Sequence, residues 1–338
     1  MNILVTGGAG YIGSHTIVEL LNNGDSVVVV DNLSNSNQES IRRVEKITNS
    51  KILFYEIDVR DANALKKIFK ENKIDAVIHF AGLKSVGESV SKPIEYYDNN
   101  IVSTLVLLET MKKYNVKKLV FSSTAGVYGE PEELPLLETS RIGYGIFSPY
   151  GRSKYMIEMM LDDLSFSDKL MGITILRYFN PIGAHSSGLI GEDPNEIPNN
   201  LLPYVSQVAI GKLEKVRVYG NDYNTPDGTG VRDYIHVVDL AKGHIAALKH
   251  IEPGVKLYNL GTGRGTSVLE LIAAFSKAAG KNIPYQIVAR RDNDVASSYA
   301  SPEKANKELR WFAEKSIDEA CVDYWRWQTK NTDGYRQC

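Results

Sequence analysis

The sequence predicts an α/β protein built on a doubly wound parallel sheet, followed by a smaller C-terminal lobe. Three observations carry this. Strand and helix signals alternate through the first half of the chain, which is the pattern of βα units winding a parallel sheet. The first strand runs directly into Gly7-Gly8-Ala9-Gly10-Tyr11-Ile12-Gly13, with a helical pattern right behind it. After Asn180-Pro181 the character changes: Gly, Pro and Asn are dense through 183–203, and 221–230 is again turn-rich.

The elements follow in order. Asn2–Thr6 reads as a short buried strand and 14–21 as a helix. Two glycine frames fit, Gly7-x-x-Gly10-x-x-Gly13 and Gly8-x-Gly10-x-x-Gly13. In either frame the glycines allow a tight turn and a close approach of backbone to a pyrophosphate. The helix N-terminus offers free N–H groups to that anion, so a Rossmann-like dinucleotide site is expected. The second strand, 27–30, ends in Asp31. An acid there bonds a ribose diol and repels a 2′-phosphate, which favours NAD over NADP. The next residues, Asn32 to Ser36, offer no cation to such a phosphate.

A third strand over 52–57 leads to Asp58-Val59, and 61–71 is helical. The fourth, 76–80, leads to Ala81-Gly82-Leu83-Lys84. Residues 93–114 read as one long helix, 118–122 as a strand ending at Ser123-Thr124, and 173–178 as the next strand. Ligands of such sheets lie beyond the carboxyl ends of the strands. Gly7, Asp31, Asp58, Ala81, Thr124 and Asn180 all fall there. A strand near 256–260 is expected to return to the main sheet. The domains therefore read as 1–180, binding NAD, and 181–338, mostly a substrate lobe.

Tyr150-Gly-Arg-Ser-Lys154 specifies the chemistry. Residues i and i+4 share a helix face, so a phenol stands beside an ammonium. Ser148 suits an N-cap and Pro149 a first helical position, which puts Tyr150 near the mouth of the fold. A free Tyr titrates near ~10. An adjacent cation, or a cationic nicotinamide, favours the phenolate, and lowering the pKa by ~3 units takes roughly 4 kcal/mol. The expected result is a general base that removes an alcohol proton while a hydride leaves the same carbon. A tyrosine and lysine at this spacing also arise by chance on surface helices; the upstream glycine loop gives the pair its weight.

Composition narrows the rest. Lys and Arg number 39 against 41 Asp and Glu, so no basic field invites nucleic acid. No Lys or Arg precedes Arg42, and no apolar run approaches the ~18 residues of a membrane span. Cys321 and Cys338 form no redox or metal spacing, and the six histidines show no i,i+4 pair. A cytoplasmic, metal-free enzyme is expected.

Taken together, these segments resemble the extended short-chain dehydrogenase/reductase superfamily, and within it the nucleotide-sugar 4-epimerases. The likeness extends over essentially the whole chain. Beyond the glycine loop and Asp31-Asn32-Leu33, it rests on His79–Ser89, Tyr96-Tyr97-Asp98-Asn99-Asn100, Tyr150–Lys154, Arg177-Tyr178-Phe179-Asn180-Pro181, Ile197-Pro198-Asn199-Asn200-Leu201, Gly228–His236 and Arg290-Arg291.

The resemblance implies NAD-dependent 4-epimerisation of UDP-glucose and UDP-galactose through a transient 4-keto sugar, with no net redox change. It implies Tyr150 as base, with Lys154 and Thr124 completing the catalytic group. NAD would be held by Gly7, Gly10, Tyr11, Ile12, Gly13, Asp31, Asn32, Leu33, Ser34, Asn35 and Ser36. Asp58, Val59, Phe80, Ala81, Gly82, Leu83, Lys84, Asn99 and Phe179 would complete that site, together with the catalytic three. Arg232 and Arg291 would clamp the UDP pyrophosphate, since the planar guanidinium bonds two oxygens at once. Asp294 would hold the uridine ribose, Tyr219 would lie near the uracil, and Asn180 and Asn200 would bind the UDP-sugar. Lys84, Thr124, Tyr150, Tyr178, Leu201 and Ser298 would complete that second set. A homodimer through a four-helix bundle is implied too, with Leu105, Leu107, Leu108, Met156, Met159 and Met160 as the apolar surplus.

Three departures stand out. Thr124 replaces the family's common Ser but keeps the hydroxyl. Asp292-Asn293 replaces Glu-Gly before Asp294. Ser298 falls, by ungapped counting from Arg291, where the room for a sugar 2-substituent is set, with Tyr299 as its neighbour. A small Ser there implies activity on the N-acetylated UDP-sugars as well. Two other readings are weaker. A nucleotide-sugar 4,6-dehydratase would carry an Asp-Glu pair after the Thr, where this chain has Ala125-Gly126. A non-catalytic dinucleotide sensor often lacks the Tyr or Lys, and both are present.

Overall fold

The computed structural model describes residues 1–194, 198–291 and 294–337. Asp292-Asn293, Ile197 and Cys338 therefore lie outside the described residues. The strands are β1 (Asn2–Thr6), β2 (Ser26–Asp31), β3 (Leu53–Glu56), β4 (Ala76–His79), β5 (Lys118–Thr124), β6 (Gly172–Tyr178) and β7 (Asn180–Ile182). They continue with β8 (Val216–Tyr219), β9 (Val231–His236), β10 (Gly254–Leu260), β11 (Gly265–Ser267), β12 (Tyr285–Val288) and β13 (Ser297–Ser298). The helices of the first half are α1 (Tyr11–Asn22), α2 (Gln38–Thr48), α3 (Ala62–Glu71), α4 (Val86–Ser91), α5 (Pro93–Tyr97), α6 (Ser103–Lys113) and α7 (Pro149–Ser167). After them come α8 (Leu201–Ala209), α9 (Val237–Lys249), α10 (Val268–Ala279), α11 (Glu303–Glu308) and α12 (Ile317–Lys330).

Seven parallel strands form the main sheet in the order β10-β6-β5-β4-β1-β2-β3. Strict alternation sends Ile3, Val5, Val29 and Ile78 to one face and Leu4, Val28, Val30 and Val77 to the other. Helices cover both faces, as a sheet buried on both sides requires. α1 packs with α2 and α9, whereas α3, α6 and α7 lie over the second core. The chain leaves β3 at one edge and re-enters as β4 beside β1. The crevice beyond β1 and β4 is thus a topological switch point, where ligands of such sheets sit.

Local chemistry sets the helix starts. Asp61 caps α3, taking hydrogen bonds from the Asn63 and Ala64 amides at 3.0 Å. Ser148 caps α7, accepting from the Gly151 amide at 3.1 Å, and Pro149 opens the helix. Two elements differ from the sequence expectation. α1 starts at Tyr11, so Tyr11, Ile12 and Gly13 already form its first turn. The long helix expected over 93–114 passes through a π-helical turn at Asp98–Val102 between α5 and α6. Such a turn holds one extra residue, shifts the phase of the apolar stripe without erasing it, and often sits at a functional site.

Past β7 the chain builds small sheets. β9 pairs with β7, β11 and β13, and β8 pairs with β12. A separate core of Leu202, Val205, Val216, Leu271, Phe275, Tyr324 and Trp327 joins α8, α10 and α12 to them. The division is not sequential, because α9 and β10 belong to the main sheet and its flanking layer.

Candidate active site

The glycine loop comes first. Gly7 has φ +70, and a Cβ there would meet the Ala81 amide nitrogen at 2.6 Å. A Cβ on Gly13 would meet the Gly7 carbonyl at 2.4 Å. These two glycines are demanded by the chain's own packing. Gly10 is different. Its φ of −73 suits any residue, and a Cβ would meet only the Gly7 carbonyl, at 3.3 Å. No side chain caps α1, so its first-turn N–H groups are left for something else. Uncapped amides at the start of a helix that follows a glycine loop fit the pyrophosphate of NAD.

Asp31 ends β2 and is buried. Its carboxylate accepts from the Ala9 amide at 3.0 Å, the Leu33 amide at 2.9 Å and the Ser36 hydroxyl at 2.8 Å. Burial raises its pKa, and those bonds oppose the rise. A carboxylate has about four acceptor positions, so room remains for one more donor. Leu33 sits at φ 57, a left-handed conformation uncommon for Leu and held here by Asp31. Asn32 accepts from the Ser34 amide and donates to Asp58 at 3.1 Å, while Asn35 is exposed. Bonding to Arg60 holds the Asp58 carboxyl down at about 2. Arg60 also reaches Asp98 at the π turn.

That turn shapes the loop after β4. The Leu83 amide donates to Asn99 Oδ1 at 3.2 Å and to Asn100 Oδ1 at 2.8 Å. Asn100 returns two bonds of 3.1 Å, to the Leu83 carbonyl and to the Ser153 hydroxyl on α7. Gly82, Leu83 and Lys84 are thereby fixed against the helix that carries Tyr150. Ala81 bonds back to Thr6, and Phe80 packs on the His244 ring at 4.9 Å.

Tyr150 and Lys154 share a face of α7, and Thr124 at the end of β5 lies near enough to act on the Tyr150 phenol. The ionisation differs from the sequence expectation. In the protein alone, burial pushes the Tyr150 phenol up to about 12, with Thr124 pulling against the rise. The reason is the direction of the ammonium: Lys154 Nζ donates to the Ser122 carbonyl at 2.8 Å and lies 4.7 Å from the Phe121 ring. Burial brings Lys154 itself down to about 8, resisted by Glu158 one turn further on. The chain holds a protonated phenol ready, and a further positive charge is needed to ionise it.

Strand register links this group to the second lobe. Thr124 pairs with Tyr178, and Asn180, two residues on, pairs with Tyr234 in β9. Arg232, on the same strand, pairs with Ser298 in β13. Arg232 bonds the Asp294 carboxylate and, at 2.8 Å, the Val295 carbonyl. The Arg291 guanidinium lies 4.1 Å from the Tyr219 ring. Asn200 precedes α8, and Leu201 is its first residue. Ser298 shares a face with Arg232. The Tyr299 ring instead packs beside Gly265 on the other face, where a Cβ would approach it to 3.3 Å.

Three expected contacts are turned inward. Val59 lies in the core under the sheet. Tyr178 is buried with its hydroxyl on His244. Phe179 packs with Val127, Tyr128, Leu136 and Ala300. Sequence reasoning gave no role to Arg60 or Glu158, and named Asn100 only within the Tyr96–Asn100 segment. Glu158 alone carried a local signal, standing four residues after Lys154 as Lys154 stands after Tyr150.

Residues 3–261 match the NAD dependent epimerase/dehydratase family. The chain belongs to that family. Among NAD-dependent epimerase/dehydratase relatives, UDP-glucose 4-epimerase of Yersinia enterocolitica is 59% identical over 335 residues, spanning 99% of both chains. UDP-glucose 4-epimerase of Homo sapiens is 57% identical over 98% of each. A crystal structure of UDP-glucose 4-epimerase from Bifidobacterium longum, in complex with NAD+ and UDP, superposes with a TM-score of 0.96. It is 58% identical and covers 99% of this chain and 100% of its own.

Proposed function

We propose that the chain interconverts UDP-glucose and UDP-galactose by NAD-dependent 4-epimerisation. The observation that carries this is the meeting of Tyr150 and buried Lys154 on one face of α7 with Thr124 at the end of β5, beside the glycine loop. Near-full-length similarity to UDP-glucose 4-epimerases supports it. NAD, when bound, supplies reversible hydride acceptance at the sugar C4. Tyr150 takes the 4-hydroxyl proton and later returns it to the 4-keto oxygen. Thr124 fixes the phenol and bonds the same sugar oxygen. Lys154 keeps a positive charge behind the phenol. Asp31 and the glycine loop hold the dinucleotide, while Arg232, Arg291 and Asp294 hold UDP, leaving the sugar free to turn.

Incubation with UDP-galactose and no added reductant, followed by product separation, tests the proposal. UDP-glucose should appear without net change in NADH. NADH accumulating in step with product would overturn it in favour of a dehydrogenase.

The sugar 2-position should accept an N-acetyl group, because Ser298 is small and Tyr299 lies on the opposite face. UDP-N-acetylglucosamine and UDP-N-acetylgalactosamine should therefore react as well. Ser298→Tyr should suppress them about 10–100-fold, the consequence of forcing a ring into occupied space at ~1–3 kcal/mol. The UDP-glucose reaction should persist. Parent protein inert toward both acetylated sugars would show that another group closes the pocket.

The protein should also be a homodimer through α6 and α7, working in the cytoplasm. Of the apolar surplus, Leu107, Leu108 and Met160 pack under the sheet, whereas Leu105, Met156 and Met159 are exposed, as are Ile94 and Phe166. Exposed apolar side chains on these helices support an interface there. Light scattering at micromolar concentration should give twice the chain mass; a monomer would rule the dimer out. Among the described residues, no helix is long and apolar enough to cross a membrane.

A further inference from the structure

Glu192 is nearly buried, at 8% exposure, and none of the roles above uses it. One carboxylate oxygen, Oε1, accepts from Lys84 Nζ at 3.0 Å and from Asn200 Nδ2 at 3.1 Å. Those two donors come from opposite sides of the site. Lys84 lies on the loop after β4, in the dinucleotide half, and Asn200 opens α8 in the second lobe. The Glu192 main chain is itself anchored: its carbonyl accepts from the Tyr324 hydroxyl and the Trp327 indole N–H of α12, both at 3.3 Å. Tyr11, from the first turn of α1, closes the group. Its ring lies 5.9 Å from Lys84 Nζ, and its hydroxyl donates to the Gly183 carbonyl at 2.6 Å.

A buried carboxylate is costly unless it is paired and hydrogen-bonded. This one is paired with a lysine whose side chain is 52% exposed, and so reaches in from the site rather than from the core. An acid serving only the packing of α12 would not need two donors that both face the ligand region. We infer that Glu192 is a positioning residue that ties Lys84 to Asn200, so that the cofactor side and the UDP-sugar side of the cleft are set in one arrangement. This rests on the UDP-sugar reading above. Glu192 touches neither sugar nor dinucleotide in this role. It acts through the two side chains that do.

The test uses the NAD-containing protein with Glu192→Ala and Glu192→Gln. UDP alone is the binding probe, and UDP-galactose the substrate. Glu192→Ala should weaken UDP binding and raise KM about 10-fold, the effect of losing a hydrogen-bonded charge contact, with kcat changed far less. Glu192→Gln keeps an oxygen acceptor and should recover part of the loss. In a background carrying both Lys84→Ala and Asn200→Ala the Glu192→Ala change should add little, because both partners it acts through are gone. Additive losses, or an unchanged KM, would overturn the inference. So would a fall in kcat and melting temperature with UDP affinity intact, which is what a packing role gives. Parent protein that fails to bind UDP would instead overturn the functional reading itself.

Discussion

Tyr150→Phe should lower turnover about 10²–10⁴-fold, the usual loss on removing a general acid–base. The ring still packs against its neighbours, so the fold and the NAD content should stay near those of the parent. Only the phenolic hydroxyl is lost. The pH profile of the parent should carry the same signature. Lys154 titrates near 8 in the folded chain, below its ordinary value. It is charged below that pH and discharges above it, so the rate should fall on the alkaline side. Because burial holds the phenol near 12, the oxidised nicotinamide should be required to bring Tyr150 into its working range. Stopped-flow or coupled assays on both proteins across pH check this. Near-normal turnover by Tyr150→Phe would remove Tyr150 from the role of base.

Glu158→Ala should cost about 3–5 kcal/mol of stability, which is what breaking one side of a buried ion pair does. Arg177 and Glu158 are 1% and 5% exposed, bonded at 2.7 and 3.1 Å, and Ser123 donates to the same carboxylate. Removing the acid leaves a guanidinium inside the protein with only a 3.4 Å contact to the Glu138 carbonyl and the Tyr128 ring beside it. A double change to apolar residues of similar volume, Glu158→Leu with Arg177→Met, should recover much of the loss. The urea midpoint, read at equal NAD loading, measures both. A midpoint unmoved by Glu158→Ala would show that the buried arginine finds its stabilisation elsewhere.

The parts of this protein legible in its sequence are the local ones. Alternating apolar residues announce β1 and β2, and glycine spacing announces the turn into α1. Ser148-Pro149 announces the start of α7, and the period of the helix puts Tyr150 and Lys154 on one face. Each is a pattern within a few residues, where covalent geometry fixes the outcome. Contacts such as Lys84 with Glu192, or Asn100 with Ser153, have no such pattern. Their partners lie 108 and 53 residues apart and meet only because the sheet order brings them together. The π turn escaped because one added residue shifts the phase of an apolar stripe without erasing it. The ionisation of Tyr150 could not be read from i,i+4 spacing, since the spacing gives proximity but not direction. The carbonyl of Ser122 takes the ammonium that the spacing seemed to aim at the phenol.

The seventh strand has a consequence for how the molecule is made. β6 finds its outer neighbour only in β10, so every strand of the sheet up to Tyr178 can be synthesised while that edge stays bare. Through the whole interval in which 179–253 is being translated, a nascent chain carries a strand that the fold buries along its whole length, with open N–H and C=O groups, the kind of template that pairs with other chains. At ~5–20 residues per second the exposure lasts seconds. The arrival of β10 therefore decides whether the first half of the protein stays soluble, and truncations ending before residue 260 should aggregate even though they contain the complete glycine loop and the Tyr150 helix.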